Sequence, residues 1–594
     1  MIKLSDYVFK FLKNYGIKNV FMLAGGGAMH LCDSLGRSGI EYICCLHEQV
    51  AAISALAYAQ YKNDIGVALV TTGPGGTNAI TGVAAAWFES VPLLVISGQV
   101  KTSDFAENYK VRMLGFQETN IVKIVKSITK YAITVTEPNE IKYHLEKAIF
   151  LAKEGRPGPV WLDIPLDIQN AKVDEKKLKS FKKPKGENNK SVKILVNKIF
   201  DMLNNSERPV ILAGYGIRIS NSVEKFNKLV KILKIPVLTT WKAADIIEDE
   251  NPYFFGRPGI AGQRAANFII QNSDLLISIG ARMDYGQIGY EHTTFAREAK
   301  KIIIDVDKNE IKKFKFNVDL KIPYDCGKVI NEMLNKKIKL RKYSAWLEYG
   351  NELKKQYPVI SSDIKKSKNY ISTYILAEEL SKNMNNNDIF APGSSGMCSD
   401  IPMQVWHVKK GQRIINSPGF GAMGFGIPTT IGVCVASGRK NTICTNGDGG
   451  FQLNIQDLET IRRLNLPIKF FVLNNEGYGS IRNTQLNFFN GFFVGSEKGS
   501  GLTLPEIKRI AYAYKIKYYF LKKYSELTKI VKKVLKEKGP VICEVLTNPD
   551  EKTIYRLTSA IDKQGKIRSK PLEDLYPFLP RNEFLKNMII KPID

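Results

Sequence analysis

"GDGGFQLNIQDLETIRRLNLPIKFFVLNNEGYGS", residues 447–480, sets an aspartate among glycines at one end and two asparagines beside a glycine at the other. The apolar runs "NTICTNGDG" (441–449) and "IKFFVLNN" (468–475) read as buried parallel strands, and the residues between them have helical periodicity. The 27 residues from Asp448 to Asn475 suffice for one helix and one neighbouring strand, so both tips reach the same sheet edge. Open parallel sheets bind their ligands at that edge. A Gly-Asp-Gly turn alone is more often structural, because such turns need φ > 0. The paired asparagines change the balance. A carboxylate, a carboxamide oxygen and a loop carbonyl together suit Mg²⁺, a hard ion that takes oxygen ligands and often holds phosphates as well. Gly447, Gly449 and Gly450 would let a phosphate approach the backbone, so the stretch reads as a metal-diphosphate clamp.

The alternation of short apolar runs and helical patterns extends in both directions. "GVALVTTG" (66–73) and "PLLVISG" (92–98) belong to a first unit, and "RPVILAGYGI" (208–217), "DLLISIGAR" (274–282) and "KIIIDVD" (301–307) to a second. Polar, charged stretches at 174–193 and 354–369 separate them. The expected organisation is three α/β domains with parallel sheets, at 1–173, 191–345 and 366–550. A tail at 551–594, carrying "PLEDLYPFLPRNEF", is expected to pack over the surface. No internal repeat is visible. The 594 residues are ample for several cores. A net charge of +28 raises nucleic acid as a partner, but the lysines are dispersed apart from the 174–193 linker, which favours a solvated basic surface and no nucleic-acid binding. No apolar stretch is long enough to span a bilayer, so no membrane partner is expected. The N-terminus lacks a signal-peptide pattern, and a cytoplasmic location follows as an expectation. Eight cysteines without zinc spacing imply reduced, mostly buried thiols.

A Gly-Asp-Gly and an Asn-Asn at this spacing resemble the signature of thiamine-diphosphate enzymes, in particular the acetolactate synthase-like branch. The resemblance covers nearly the whole chain. It implies a thiamine-diphosphate-binding fold of pyrimidine, middle and diphosphate domains, with Asp448, Asn475 and the carbonyl of Gly477 as metal ligands. It also implies a catalytic glutamate, Glu48 in "CLHEQVAAISALAYA", beside N1′ of the aminopyrimidine, where it would favour the tautomer able to take a proton from thiazolium C2. A glutamate at a helix start is otherwise usually a partner of the helix dipole. "TTGPGGTNAITG" (71–82), with Pro74 and Asn78, resembles the loop near the cofactor. "NSPGFGAMGFGIPTTIG" (416–432) resembles the segment that holds the cofactor bent, with Gly421 offering a carbonyl and Met423 a wedge. "APGSSGMC" (391–398), with Gly393, Ser394 and Ser395, resembles a phosphate-side loop more loosely, since synthases usually carry Gln-His-Gln there.

"GFQETNIVKIVKSITKYAITV" (115–135) and "GRPGPVWLDIPLDIQ" (155–169) are also similar to acetolactate synthases, and the resemblance puts Gln117 beside the substrate. Pyruvate or a similar 2-keto acid is the implied donor. The five histidines contain no adjacent pair of the kind that simple decarboxylases often carry, which favours carboligation. His30, in "AGGGAMHLCD", is a candidate to face the pocket. Two departures concern the acceptor and a flavin. Thr484 stands where synthases place a tryptophan, and "GARMDYGQIG" (280–289) has Tyr285 and Gly286 where they carry Asp and Arg. Gly214, Arg282, Asp305 and Asp325 still match places where the family lays FAD. The leading expectation is a pyruvate-decarboxylating carboligase with an altered carbonyl acceptor, a keto-sugar nucleotide being one candidate. The alternatives are an acetolactate synthase catalytic subunit and a non-catalytic cofactor-binding subunit. The family's active site lies between subunits, so a homodimer or homotetramer is implied.

Overall fold

The computed structural model describes residues 1–593 apart from 185–189, 337–339, 362, 363, 365, 366, 368, 394, 395, 562–564 and 566. Part of the first linker and the expected domain start at 366 therefore lie outside the described residues. Three parallel sheets follow one another along the chain. The first has the strand order Glu41–Cys44, Asn19–Met22, Gly66–Val70, Leu93–Gln99, Pro159–Pro165, Tyr131–Thr134. The second runs Val237–Thr239, Pro209–Ala213, Leu275–Ile279, Lys300–Ile304, Leu320–Ile322. The third runs Arg413–Ile414, Ile389–Phe390, Thr442–Gly447, Ile468–Asn474, Val541–Leu546, Lys517–Leu521. Strands such as "GVALV" and "LLISI" are buried at every residue, as expected where helices cover both faces.

Counted in chain order within each sheet, the first and third sheets both read 2-1-3-4-6-5, and the second reads 2-1-3-4-5. The repeat that is invisible in the sequence is thus present in the topology, where it needs no residue identity. In each sheet the chain moves to one side after the first strand and crosses to the other before the third. That leaves a crevice at the carboxyl ends of the first and third strands, where open α/β sheets hold ligands.

The first and third units share a core. Helix Glu48–Lys62 is apolar nearly all round, the pattern of a helix covered on every side. It crosses helix Gly426–Ala436 closely. Ser54 Oγ donates to Pro428 O at 2.8 Å, and a Cβ on Gly432 would stand 2.0 Å from Ser54 O. One apolar cluster runs from Ile53 and Val83 through Ile431 to Ile468.

Two expectations change. The helix after Asp448 is broken into Asp448–Gln452, a 3-10 turn Ile455–Asp457, and Leu458–Arg463. Asn454 makes the break at φ +69°, and its amide donates to Gln49 Oε1 at 2.8 Å and to Gly424 O at 3.1 Å. The tail does more than lie on the surface: Tyr555, Leu572, Leu575 and Phe584 are buried in the core of the middle unit. Every residue of helix Arg264–Gln271 is buried, and the tail supplies cover for it. Asn267 donates to Leu572 O at 2.7 Å and Arg264 to Pro577 O at 2.6 Å. Among the described residues no helix is long and apolar enough to cross a membrane, and all eight cysteines are free thiols.

Candidate active site

Glu48 opens its helix after the edge strand Glu41–Cys44, with His47 as the cap, whose Nδ1 accepts from Gln49 N at 3.1 Å. The residue is only 7% exposed, and its carboxylate accepts from Asn78 Nδ2 at 3.0 Å. Asn78 lies on helix Pro74–Phe88, which Pro74 begins at a position where a missing N–H costs nothing. The turn before it is tight. Gly73 has φ +57°, and a Cβ there would stand 2.1 Å from Gln117 O. Gln117 is itself at φ +63° and exposed, so it sits beside the turn leading to Asn78. His30 is half-buried on the first turn of helix Met29–Ser38, just after the glycine turn that packs on Thr71 and Thr72. The first crevice therefore gathers Glu48, Pro74, Asn78 and Gln117, with His30 close in sequence to its opposite lip.

At the third crevice Asp448 is 3% exposed. Its carboxylate accepts from Gly449 N at 2.7 Å and from Gly477 N at 3.0 Å. Burial pushes its carboxyl up to about 6, and these N–H groups pull it back. In the orientation that satisfies its amide, Asn475 Nδ2 donates to Gly477 O at 2.8 Å and to Asp448 Oδ1 at 3.2 Å. A half-turn of that amide makes three oxygens converge from Asp448, Asn475 and Gly477, the donor set a hard cation takes. These residues fit Mg²⁺. Gly447 and Gly450 flank the same turn, and Gly393, at the neighbouring strand tip, donates its N–H to Thr445 O at 2.8 Å. Ser394 and Ser395 lie outside the described residues. No hydrogen bond among the described residues joins Glu48 to Asp448 or Asn475.

Three contributors escape a reading of the sequence. Arg482 is buried and donates to Asn475 O at 2.6 Å, Glu476 O at 3.0 Å and Pro549 O at 3.0 Å, fixing the loop of the clamp. An arginine on a helix ordinarily reads as exposed. Asn454, the helix-breaker, ties Gln49 to the segment that carries Gly421 and Met423. Glu89, at the end of helix Pro74–Phe88, accepts from Ser417 Oγ at 3.0 Å and from Gly419 N at 2.8 Å on that segment, and pairs with Lys242 of the middle unit at 3.2 Å. Its partners lie too far along the chain to leave a local signal. On the segment it holds, Gly421 is at φ +61° and Met423 is 37% exposed.

The middle crevice opens into a cavity of about 350 Å³, within the range of small-molecule sites. Gly214 and Gly216 close the tip of the first strand against the third, donating to Ile279 O at 2.9 Å and Gly280 O at 3.0 Å. Asp305, after the fourth strand, accepts from Asp307 N at 2.9 Å, and burial pushes its carboxyl up to about 6. A carboxylate there suits a ribose hydroxyl. Asp325 is already engaged, capping helix Cys326–Leu334 through Oδ1. Arg282 donates to Phe88 O at 2.6 Å and pairs with Asp284, while Arg156 pairs with Glu310 at 2.6 Å. The volume and Asp305 fit a nucleotide such as FAD; of the cations in the lining, Arg156, Lys242 and Arg282 each already face an acid, and Arg556 lines the same cavity.

Comparison with known proteins matches all three units in order. Residues 2–124 match the N-terminal TPP binding domain of thiamine pyrophosphate enzymes, 196–333 the central domain, and 394–545 the C-terminal TPP binding domain. The chain is similar to the acetolactate synthase large subunit of Pyropia yezoensis, with 31% identity over 560 residues and 90% of each chain covered. It is 31% identical over 568 residues to that of Lactococcus lactis subsp. lactis, covering 95% of this chain and 96% of the relative. With the isozyme 2 large subunit of Escherichia coli K12 it shares 30% over 550 residues, covering 91% and 95%.

Proposed function

We propose a reaction for this chain from one premise: it belongs to the thiamine pyrophosphate enzyme family, in the acetolactate synthase-like branch. The reaction is decarboxylation of pyruvate and transfer of the remaining two-carbon unit to the carbonyl of a second pyruvate, giving acetolactate and CO₂. The observation that carries it is the buried Glu48 carboxylate, held by Asn78, with the Gln117 backbone against the Gly73 turn that opens the helix of Asn78. Thiamine diphosphate, when bound, supplies the electron sink that lets the carboxylate of the donor leave. Asp448, Asn475 and the carbonyl of Gly477 would hold Mg²⁺ and through it the diphosphate, with Gly393 and the Gly447–Gly450 turn against the phosphates. Glu48 would hold a proton at the aminopyrimidine, the role its burial favours. Gln117 would orient the donor, and positioning of both carbonyl compounds next to each other supplies much of the rate.

The active unit is a homodimer or homotetramer in this reading. Phe116, Phe488 and Phe492 support it, being 93%, 76% and 75% exposed on segments beside the first and third crevices. The middle cavity would take FAD, with Asp305 placed to accept from a ribose hydroxyl. Absorbance near the flavin bands in the purified protein tests this, and a colourless protein that takes up no added FAD would count against it.

A second reading, with an acceptor other than pyruvate such as a keto-sugar nucleotide, is favoured by Thr484. Its hydroxyl returns to Ser480 O at 3.1 Å, and it is smaller than the tryptophan that the family's synthases place at this position. Labelled pyruvate with thiamine diphosphate and Mg²⁺, followed by mass spectrometry, separates the two. Acetolactate in quantity supports the first reading; CO₂ release with little acetolactate supports the second. Absence of CO₂ release would sink both. Glu48→Gln should lower kcat by about 100-fold or more while the cofactor still binds, and an unchanged rate would mean that Glu48 has no catalytic role.

A further inference from the structure

A buried polar chain behind the first crevice takes no part in the reaction described above. Asp163, at the carboxyl end of its strand, is 1% exposed. It accepts from Ser97 Oγ at 2.6 Å, Thr134 Oγ1 at 3.1 Å and Gln99 Nε2 at 3.2 Å. Ser97 Oγ in turn accepts from Trp161 Nε1 at 2.8 Å. Gln99 spends its whole side chain. The second proton of its amide goes to Thr119 O at 2.8 Å, and Oε1 accepts from Thr72 Oγ1 at 2.7 Å and from Val100 N at 3.0 Å.

Those two branches end at the two loops of the crevice. Thr72 stands one residue before Gly73, on the turn that opens the helix of Asn78, and Asn78 holds Glu48. Thr119 stands two residues after Gln117, whose left-handed backbone occupies the space a side chain on Gly73 would need. A non-glycine residue keeps such a backbone only where its surroundings enforce it. The carboxylate takes three donors, two from strand Leu93–Gln99 and one from strand Tyr131–Thr134, so the arrangement is fully satisfied and rigid. Burial drives the Asp163 carboxyl up to about 7 while Ser97, Gln99 and Thr134 draw it down.

We propose that Asp163 and Gln99 are positioning residues, a buried yoke that sets the Gln117 loop against the Glu48–Asn78 pair and so determines affinity for the 2-keto acid donor. This rests on the reading of Gln117 as a donor-binding residue. The yoke lies behind the loops, away from the Asp448 clamp, so cofactor binding should be spared.

The test compares Asp163→Asn, Gln99→Met, Thr72→Val, Thr72→Ser and Gln117→Ala in the full-length protein with thiamine diphosphate and Mg²⁺. KM and kcat for pyruvate, cofactor Kd, and hydrogen exchange of the 111–120 segment are measured. Asp163→Asn and Gln99→Met should raise KM about tenfold or more, with cofactor Kd within about twofold and faster exchange in 111–120. Thr72→Val should move the same way, and Thr72→Ser, which keeps the hydroxyl, should restore the original KM. If the two yoke variants fail to fold, the Thr72 pair carries the comparison alone. Unchanged exchange and KM in the folded variants, while Gln117→Ala raises KM, overturns the yoke and leaves the donor-site reading intact. Faster exchange with KM unmoved in every variant, Gln117→Ala included, overturns the donor-site reading and the affinity role with it. A joint loss of cofactor binding, kcat and KM would show a merely structural role.

Discussion

At the scale of single residues, the groups proposed to deal with the cofactor stand where strands end, and this is why several were legible. Asp448 and Glu48 each follow an apolar run at a helix start; the spacing to the paired asparagines singles out Asp448, whereas Glu48 reads locally as a helix-dipole partner and is singled out by the family resemblance. Arg482, Glu89 and Gln99 were not legible, because their partners come from distant parts of the chain; Glu89 and Ser417 are 328 positions apart. Asp448→Ala should remove the one charged member of the proposed cation set and raise the Mg²⁺ concentration needed for half-maximal cofactor binding by roughly tenfold or more. A titration with unchanged midpoint would rule out Asp448 as a ligand. A pH effect belongs to this scale too. The Asp163 carboxyl lies at about 7 in the folded protein, above the value of 3.8 it has when free. Between those values the folded chain holds a proton that the unfolded chain releases. The stability from this group is therefore complete below about 4 and lost as pH rises through about 7. In Asp163→Asn the fall in thermal midpoint between pH 5 and pH 8 should be shallower, and an unaltered slope would assign that fall to other groups.

At the scale of elements, strand identity was readable because buried parallel strands are short apolar runs, whereas the broken helix after Asp448 was not. Its apolar spacing is that of a continuous helix, and only the partners of Asn454, Gly424 and Gln49, make a left-handed residue there worthwhile. Helix crossings were equally hidden. Gly432→Ala would drive a methyl group toward Ser54 O, at 2.0 Å before relaxation, and should destabilise the protein by about 1–3 kcal/mol. Gly36→Ala, on an open helix face with nothing near the new methyl, should be neutral or stabilising by up to about 1 kcal/mol. Thermal melts of the two variants side by side check the contrast; equal melting points would mean that the crossing tolerates the extra atom.

At the scale of the whole molecule, the tail and Glu89 show how the three units become one body. The tail read as a surface strap because its prolines and aromatics have no periodicity, yet its apolar side chains finish the core of a domain whose sequence ended two hundred residues earlier. Glu573, fully buried, takes Arg297 at 2.7 Å and Gln271 at 2.6 Å. A chain ending at residue 550 should lose soluble yield or melt at least several degrees lower, since it uncovers Leu572, Leu575 and Phe584 contacts together. A truncated chain with the original melting point would make the tail dispensable.

The identical strand order of the first and third sheets bears on inheritance. In the proposed reading one framework would present the Glu48 carboxylate to the cofactor ring in one copy and a cation clamp at Asp448 and Asn475 in the other, each where a strand gives way to a helix. Mutation can therefore rewrite the 477–489 segment, most of it the helix Gly479–Phe488, and with it the proposed acceptor side, while leaving the hereditary sheet untouched, so lineages built on this plan can diversify in chemistry faster than in shape.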